Sequence, residues 1–207
     1  MIVGLDTSTP ITSVAVLGDG VERELHDDGE RPRHAQTLLP LLEQVVADWS
    51  AVERLCVGVG PGGFTGLRLG IATARALSQA LDLPVVPVSS LDALAAPHPG
   101  VVAALIDARR GELFAAVYED GQRTREPVAI DPATLAQALA PGTLTVGDGA
   151  IRFREELERA GMAVPADGSD AHRVSALMVC RLGLGREPVD RDALLPDYRR
   201  EPDAKPQ

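Results

Sequence analysis

The sequence is poor in aromatic residues, cysteine and lysine. Phe, Trp and Tyr make up only 3% of the 207 residues, whereas the hydrophobic residues together reach 45%. A core of Ala, Val and Leu is therefore expected, large enough for one sizeable domain or two small ones. The two cysteines, Cys56 and Cys180, share no metal-ligand spacing, so we interpret both as reduced, buried thiols of a cytosolic protein.

Long apolar runs are missing as well. No run approaches the roughly 20 residues that a membrane-spanning helix requires, so no membrane is expected among the partners. The apolar run at the N-terminus, residues 2–5, reaches the charged Asp6 at once, which leaves no room for the basic and hydrophobic regions of a signal peptide. The sequence therefore predicts a cytoplasmic protein.

Basic residues are in deficit, because the formal net charge is −10 and Lys205 is the only lysine. Proteins that bind RNA by themselves carry a basic face, since neutralising phosphates supplies most of their affinity. The arginines form only short local clusters, of which Arg109 and Arg110 are one. We expect any contact with RNA to be indirect. Arg109 and Arg110 are candidates for local RNA contacts, and a solvated turn explains them equally well.

The opening of the chain is repeated about a hundred residues later. Residues 3–20 align without a gap to residues 104–121, so that Asp6 meets Asp107 and Asp19–Gly20 meets Asp120–Gly121. In each copy an apolar run ends in Asp, a polar turn follows, a second apolar run returns, and Asp-Gly makes a further tight turn. Each copy predicts the start of an antiparallel meander, and duplication is the better explanation of their similarity.

Helical and strand patterns follow each meander. The period predicts a helix over residues 38–49, with Thr37 as its N-cap and Pro40 in its first turn. A strand at 55–59, a loop at 60–66, a helix at 67–81 and a strand at 84–88 predict a right-handed parallel crossover. In the second half we expect helices at 132–139, 151–160 and 171–184, a strand at 143–146 and a flexible tail.

Five segments carry the distinctive motifs of this chain: Gly4–Thr9, His34–Pro40, Gly60–Arg68, Ile106–Glu112 and Leu195–Arg199. Together they resemble the TsaB (also called YeaZ) family, the accessory subunit for threonylcarbamoyladenosine synthesis on bacterial tRNA. The third segment is the most specific, although Gly63 stands where the family usually has Ser.

The resemblance implies an α/β fold of the duplicated actin and hexokinase (ribonuclease H-like) type with two domains, at residues 1–98 and 99–207. It implies a non-catalytic subunit that binds and activates the transferase TsaD, assisted by the ATPase TsaE. Threonylcarbamoyl transfer would then modify the adenosine beside the anticodon of tRNAs reading codons that begin with adenine. Without TsaD, the family members self-associate as dimers. No cofactor of its own is implied, while ATP with Mg²⁺ stays an open alternative.

Two motifs that would indicate independent chemistry are incomplete. TsaD-like enzymes bind metal with two histidines one helical turn apart, but four residues after His34 the chain has Leu38. We interpret His34 as a helix-start histidine on the surface, and neither a metal site nor a metallopeptidase is expected. The loop Gly60–Gly66 lacks the lysine of a phosphate-binding P-loop. Its glycines are better explained by the turn from strand to helix and by close packing.

The strongest enzymatic signal is the pair of aspartates at the ends of the repeated strands. Asp6, followed by Thr7 and Ser8, matches the first phosphate hairpin of actin-like kinases, where a carboxylate helps to hold Mg²⁺. Asp107 occupies the equivalent place in the second copy, and Gly147 and Gly149 could contact an adenosine. The rival hypothesis is therefore an independent ATP-dependent kinase or phosphohydrolase. Alternatively, these residues only end strands and form turns.

The partner-binding surface is predicted on two helices. On the second of them, apolar residues recur on two stripes, which suggests one stripe for the sheet and one for another helix. The resemblance implies that these helices form the docking surface for TsaD. The alternative is that the same residues belong to the core. The predicted contact residues are Leu38, Leu42, Val45, Leu67, Gly70, Ile71, Ala74 and Leu77, and the second stripe comprises Leu69, Ala72, Ala76 and Ala80.

Overall fold

A computed structural model describes residues 1–18, 20–27, 29 and 32–199. Asp19 of the first predicted Asp-Gly turn and the end of the predicted flexible tail lie outside these residues. The strands are β1 (Ile2–Asp6), β2 (Thr12–Gly18), β3 (Val21–Asp27), β4 (Arg54–Gly58), β5 (Val85–Val88), β6 (Val101–Arg109), β7 (Glu112–Glu119), β8 (Gln122–Ile130) and β9 (Leu144–Val146). The helices are α1 (His34–Val45), α2 (Phe64–Leu81), α3 (Ser90–Ala95), α4 (Pro132–Ala138), α5 (Asp148–Arg152), α6 (Arg154–Arg159) and α7 (Ala176–Leu184).

The strands form two sheets, and the four strands of the second sheet have the same order as the first four strands of the first sheet. The first sheet has the order β3-β2-β1-β4-β5, and the second has the order β8-β7-β6-β9. In each sheet an antiparallel meander is followed by a parallel strand beside its first member, β4 beside β1 and β9 beside β6. The predicted duplication of an α/β unit is confirmed.

The second tight turn has the backbone that the sequence predicts. Asp120 and Gly121, between β7 and β8, have φ values of 47° and 79°. Positive φ costs glycine nothing and aspartate little, which is why this dipeptide predicts a tight hairpin. The parallel pairing of β4 with β5 confirms the parallel crossover through α2.

Helices cover both faces of the first sheet. On one face, α1 and α2 pack against side chains such as Val3 and Leu5 of β1. On the other face, α3 and α7 lie between the two sheets in a second core that includes Ile2, Cys56 and Cys180. The residues of β1 alternate between these two cores, as a strand buried on both faces must. A third core lies between the second sheet and α4, α5 and α6.

The expected domain boundary at residue 98 divides the strands of the first sheet from those of the second. It does not divide the helices in the same way. Although α7 belongs to the second half of the chain, it packs against β1, β2 and β4 of the first sheet. Gly4 and Gly183 make this approach possible. A Cβ on Gly4 would lie 2.5 Å from the carbonyl oxygen of Ala176, and one on Gly183 would lie 2.3 Å from the Sγ of Cys56.

Several helix boundaries differ from the sequence-based expectation. Helix α1 begins at His34 rather than after Thr37, whose hydroxyl donates to the carbonyl oxygen of Arg33 at 3.2 Å. The helix expected at 151–160 is interrupted at Phe153, and the last helix begins at residue 176, where Ser175 caps it by accepting from the N–H of Met178. The Ser175 cap therefore sets the start of α7. No helix in the described part of the chain is long and apolar enough to cross a membrane.

Candidate functional site

A cleft of about 450 Å³ opens between the two halves of the molecule. One wall is the β1–β2 turn with the first residues of α1 and α2, and the other is the end of β6 with the start of α5. Of the predicted site residues, Thr7, Ser8, Asp107 and Arg109 line it, and Asp148 joins them. The structure thus brings the two repeated strand ends together, as the duplication predicts.

The structure turns Asp6 away from this cleft. Its side chain is buried, its Oδ1 accepts from the N–H and the hydroxyl of Ser8 at 2.8 and 2.7 Å, and its Oδ2 accepts from the hydroxyl of Ser90 at 2.6 Å. Burial raises the pKa of Asp6, and the hydrogen bonds from Ser90 and Ser8 oppose that rise. A Cβ on Gly58 would lie 1.9 Å from Oδ2. Asp6 is therefore a packed link between β1, β4 and α3, which corrects its expected place at a Mg²⁺ site.

The glycines of the 60–66 loop hold α2 against the β1–β2 turn. The Thr7 hydroxyl donates to the carbonyl oxygen of Gly66 at 2.8 Å, and the Gly63 N–H donates to the carbonyl oxygen of Ser8 at 2.7 Å. A Cβ on Gly62 would lie 2.2 Å from the Ser8 oxygen, and one on Gly66 would lie 2.1 Å from the Thr7 oxygen. These contacts support the packing role predicted for the glycines. The Thr7 hydroxyl and the Gly63 N–H, which a phosphate site would need as donors, are therefore already engaged within the fold.

His34 is buried, which contradicts the expectation of a surface histidine. Its Nδ1 lies 2.8 Å from the hydroxyl of Thr12 on β2, and that hydroxyl lies 3.1 Å from the hydroxyl of Thr37. Burial lowers the pKa of His34, while the charge of Asp27 acts in the opposite direction. His34 thus anchors the first turn of α1 to the sheet. Within the described residues, no cluster of three or more His, Cys, Asp and Glu side chains is placed to hold a metal ion.

Across the cleft, Asp107 and Asp148 form a pair of neighbouring carboxylates. The Asp107 N–H donates to Oδ1 of Asp148 at 3.1 Å, and Oδ2 of Asp107 lies 3.2 Å from Arg109 and 3.5 Å from Arg152. Burial raises the pKa of Asp148 to about 6, with a further contribution from the negative charge of Asp107. Sequence reasoning singled out Gly147 and Gly149 but missed Asp148 between them. Its position between two glycines at a helix start was the available signal.

Gly147 and Gly149 pack against β6 rather than presenting an open loop. Gly147 has a φ of 104°, and a Cβ there would lie 2.0 Å from the carbonyl oxygen of Leu105. A Cβ on Gly149 would lie 2.6 Å from the Leu113 side chain. Neither glycine lines the cleft. Both allow α5 to approach the sheet closely, and this approach places Asp148 beside Asp107.

The hairpin between β6 and β7 exposes Arg109 and Arg110. Both have left-handed backbones, with φ values of 65° and 55°, and Gly111 follows with 83°. The Arg109 N–H donates to Oδ1 of Asp107 at 2.8 Å, which ties the hairpin to the cleft. The two arginines are thus solvent-facing, as a tRNA contact requires and as a solvated turn also allows.

The structure corrects the predicted partner-binding stripe. Gly70 packs against Thr7, since a Cβ there would lie 2.3 Å from the Thr7 hydroxyl. Leu77 is partly buried against the same core. The other predicted contact residues are almost completely buried: Leu38 (1% exposed), Leu42 (1%), Val45 (4%), Leu67 (1%), Ile71 (5%) and Ala74 (0%). The predicted stripe faces the chain's own sheet.

The second apolar stripe faces outward instead. On α2, Ala72, Ala76 and Ala80 are exposed and Leu69 is partly buried. On α1, Leu39 is 54% exposed. We call Leu39, Leu69, Ala72, Ala76 and Ala80 the outer helix face. The small residues on α2 allow another helix to approach closely, and an exposed apolar stripe along a helix marks a candidate interaction site.

Comparisons with known proteins agree with this architecture. A profile of the family described as "TsaD: tRNA N6-adenosine threonylcarbamoyltransferase" matches residues 30–175. An uncharacterized protein of Mycobacterium tuberculosis is 33% identical over 99% of this chain and 94% of its own length. The tRNA threonylcarbamoyladenosine biosynthesis protein TsaB of Bacillus subtilis is 26% identical over 99% of this chain and 96% of its own length. YeaZ from Pseudomonas aeruginosa superposes with a TM-score of 0.81 at 29% identity, covering 95% of this chain and 98% of YeaZ.

Proposed function

Because the chain belongs to the TsaB (YeaZ) family, whose curated members are named as tRNA threonylcarbamoyladenosine biosynthesis proteins, we propose that it serves this modification as a non-catalytic subunit. It binds the TsaD-type transferase and stabilises the active conformation of that enzyme. The product is the threonylcarbamoylated adenosine beside the anticodon of tRNAs that read codons beginning with adenine.

The outer helix face is the observation that carries this proposal. Apolar and small side chains on two neighbouring helices remain exposed after the chain has buried three cores of its own. Burying such a surface against a partner contributes about 25 cal/mol per Å² before the costs of association. Alanines at 72 and 76 bring the backbone of α2 close to a facing helix, so close helix packing is the expected mode of contact.

The first wall of the cleft supports an accessory role, because two of its polar groups are used internally. The Thr7 hydroxyl and the Ser8 carbonyl oxygen bond within the fold, as does the buried Asp6 carboxylate, which does not line the cleft. We therefore propose no cofactor for the chain alone.

The proposed partners are proteins before RNA. TsaE joins a larger complex through TsaD, and the isolated chain pairs with a second copy through the same outer helix face. Contacts with tRNA are indirect except near Arg109 and Arg110. The site of action is the cytoplasm.

Reconstitution of the modification tests this proposal. Threonylcarbamoyl transfer to tRNA by the transferase and TsaE should need this chain and should be lost with Ala72→Glu, which puts a charge on the outer helix face. The matched control is Ala133→Glu, because Ala133 is also an exposed helical alanine, on α4. Full modification without the chain, or equal activity of both variants, would refute the proposal.

The rival function, an ATP-dependent kinase or phosphohydrolase, rests on the Asp107–Asp148 pair. These carboxylates and Arg109 line the cleft, where they could meet Mg²⁺ and a nucleotide. Calorimetry of the isolated chain with ATP and Mg²⁺ separates the two functions. Tight binding and turnover that disappear with Asp107→Asn would favour the rival, whereas the accessory role predicts no turnover.

A further inference from the structure

The few aromatic residues of this chain are unevenly distributed. It has three Phe, two Tyr and one Trp, and two of these six are exposed side by side. Phe64, at the start of α2, is 44% exposed, and Tyr198, near the end of the described chain, is 43% exposed. Their rings stack with centroids 5.5 Å apart. Since the core itself is short of aromatic side chains, two of them stacked on the surface need an explanation beyond folding.

An arginine completes the group. The Arg68 guanidinium lies 3.7 Å from the centroid of the Phe64 ring, and its Nε donates to the Tyr198 hydroxyl at 2.9 Å. We call Phe64, Arg68 and Tyr198 the aromatic–arginine cluster. Cation–π contact and the hydrogen bond hold the three side chains in one arrangement, so a partner would find them already ordered.

The segment that carries Tyr198 is fixed along α2. Leu194 is fully buried, the Asp197 N–H donates to the carbonyl oxygen of Val59 at 2.8 Å, and Arg75 donates to the carbonyl oxygens of Arg191 and Asp192. Leu195, next to the buried Leu194, is 62% exposed. The cluster is therefore rigid, and it has an exposed aliphatic neighbour in sequence.

Its location continues the outer helix face. Phe64, Arg68 and Ala72 are spaced four residues apart on α2, so they lie in one row along the helix with Ala76 and Ala80. Tyr, Trp and Arg dominate binding energy at protein interfaces, especially when they are pre-ordered. RNA is the less favoured occupant, because the chain carries a net charge of −10 and Asp197 lies beside Tyr198.

We propose that the aromatic–arginine cluster is a second contact region for the same protein partner. It receives an aliphatic side chain of that partner on the rings and a carboxylate of the partner on Arg68. This inference rests on the proposed function. It adds that the C-terminal segment supplies a contact residue, Tyr198, in addition to the helices.

The test measures the dissociation constant between the full chain and the TsaD-type transferase by calorimetry. We expect Phe64→Ala and Tyr198→Ala each to weaken binding about tenfold or more, and Arg68→Ala to weaken it and to reduce its salt dependence. Tyr198→Phe should stay closer to the unmodified chain, because the ring remains. The matched control is Val128→Ala on β8, an exposed apolar residue (47%) remote in sequence. Unchanged melting temperatures would show that the variants fold.

The possible failures are distinguishable. If Ala72→Glu abolishes binding while Phe64→Ala and Tyr198→Ala bind like the unmodified chain, this inference is overturned and the proposed function stands. If the unmodified chain does not bind the transferase, both are overturned. If the cluster variants bind the transferase normally but the complex loses affinity for tRNA in a mobility-shift assay, the occupant is RNA and the protein contact is wrong.

Discussion

Replacing Asp148 by Asn should stabilise the protein at neutral pH and have little effect in acid. The pKa of Asp148 is raised from 3.8 to about 6, first by burial and then by the charge of Asp107. A carboxyl whose folded pKa is raised favours the folded state only while it is protonated. As the pH rises from 3.8 toward 6, the unfolded chain ionises first and the free energy of unfolding falls.

The magnitude follows from the size of this shift. The difference between about 6 and 3.8 is about 2.2 pKa units, and each unit corresponds to about 1.4 kcal/mol. The full penalty at pH 7.5 is therefore about 3 kcal/mol, and solvent in the cleft reduces it, so we expect Asp148→Asn to gain about 1–3 kcal/mol. The amide oxygen of Asn can still accept from the Asp107 N–H, which limits the loss of hydrogen bonding.

Urea unfolding followed by circular dichroism at pH 4 and pH 7.5 measures this effect. The gain should be present at pH 7.5 and small at pH 4, and an exposed carboxylate variant, Glu119→Gln, should show no such difference. A different result would contradict this reasoning. If Asp148→Asn destabilises the chain at pH 7.5, or changes stability equally at both pH values, then burial does not disfavour the charged form of Asp148 in the folded state.

Three further substitutions test the packing. Ile71→Asp should unfold the protein rather than only disrupt partner binding. Ile71 is 5% exposed, and an unpaired carboxylate buried there costs at least about 3 kcal/mol. A soluble variant with an unchanged melting temperature would contradict the assignment of Ile71 to the core. Gly66→Ala should cost about 1–3 kcal/mol by urea unfolding, since its Cβ would lie 2.1 Å from the Thr7 carbonyl oxygen; full stability would show that α2 can shift. Asp92→Ala should cost about 3 kcal/mol in calorimetry, because Asp92 accepts from Tyr118, Arg123 and Arg186; a cost near zero would mean that this network adds nothing.

The duplicated architecture could be predicted because it depends on local sequence patterns. The aligned segments 3–20 and 104–121 share alternation and turn chemistry, and the second sheet repeats the order of the first four strands of the first sheet. The glycines of the 60–66 loop were likewise interpreted as packing residues, and the Thr7 and Ser8 contacts support this. Such features depend on residues close in sequence or on a simple period.

The assignment of helix faces was not predictable in the same way. Helix α2 has apolar residues on two stripes, and periodicity alone cannot tell which one meets the sheet. The stripe with the larger side chains, Leu67 and Ile71, is the buried one, which fits the greater gain from burying larger apolar groups. Asp6 and His34 were misplaced for a related reason, because their partners Ser90 and Thr12 lie 84 and 22 residues away in sequence.

The affinity of the Ala72→Glu variant for the TsaD-type transferase, measured by calorimetry beside Ala133→Glu, tests the partner-binding surface most directly. We predict that Ala72→Glu keeps its melting temperature yet loses at least about a hundredfold in affinity, because a charge would be buried between helices. Ala133→Glu should bind like the unmodified chain. Equal affinities for the two variants would show that the partner does not dock on the outer helix face.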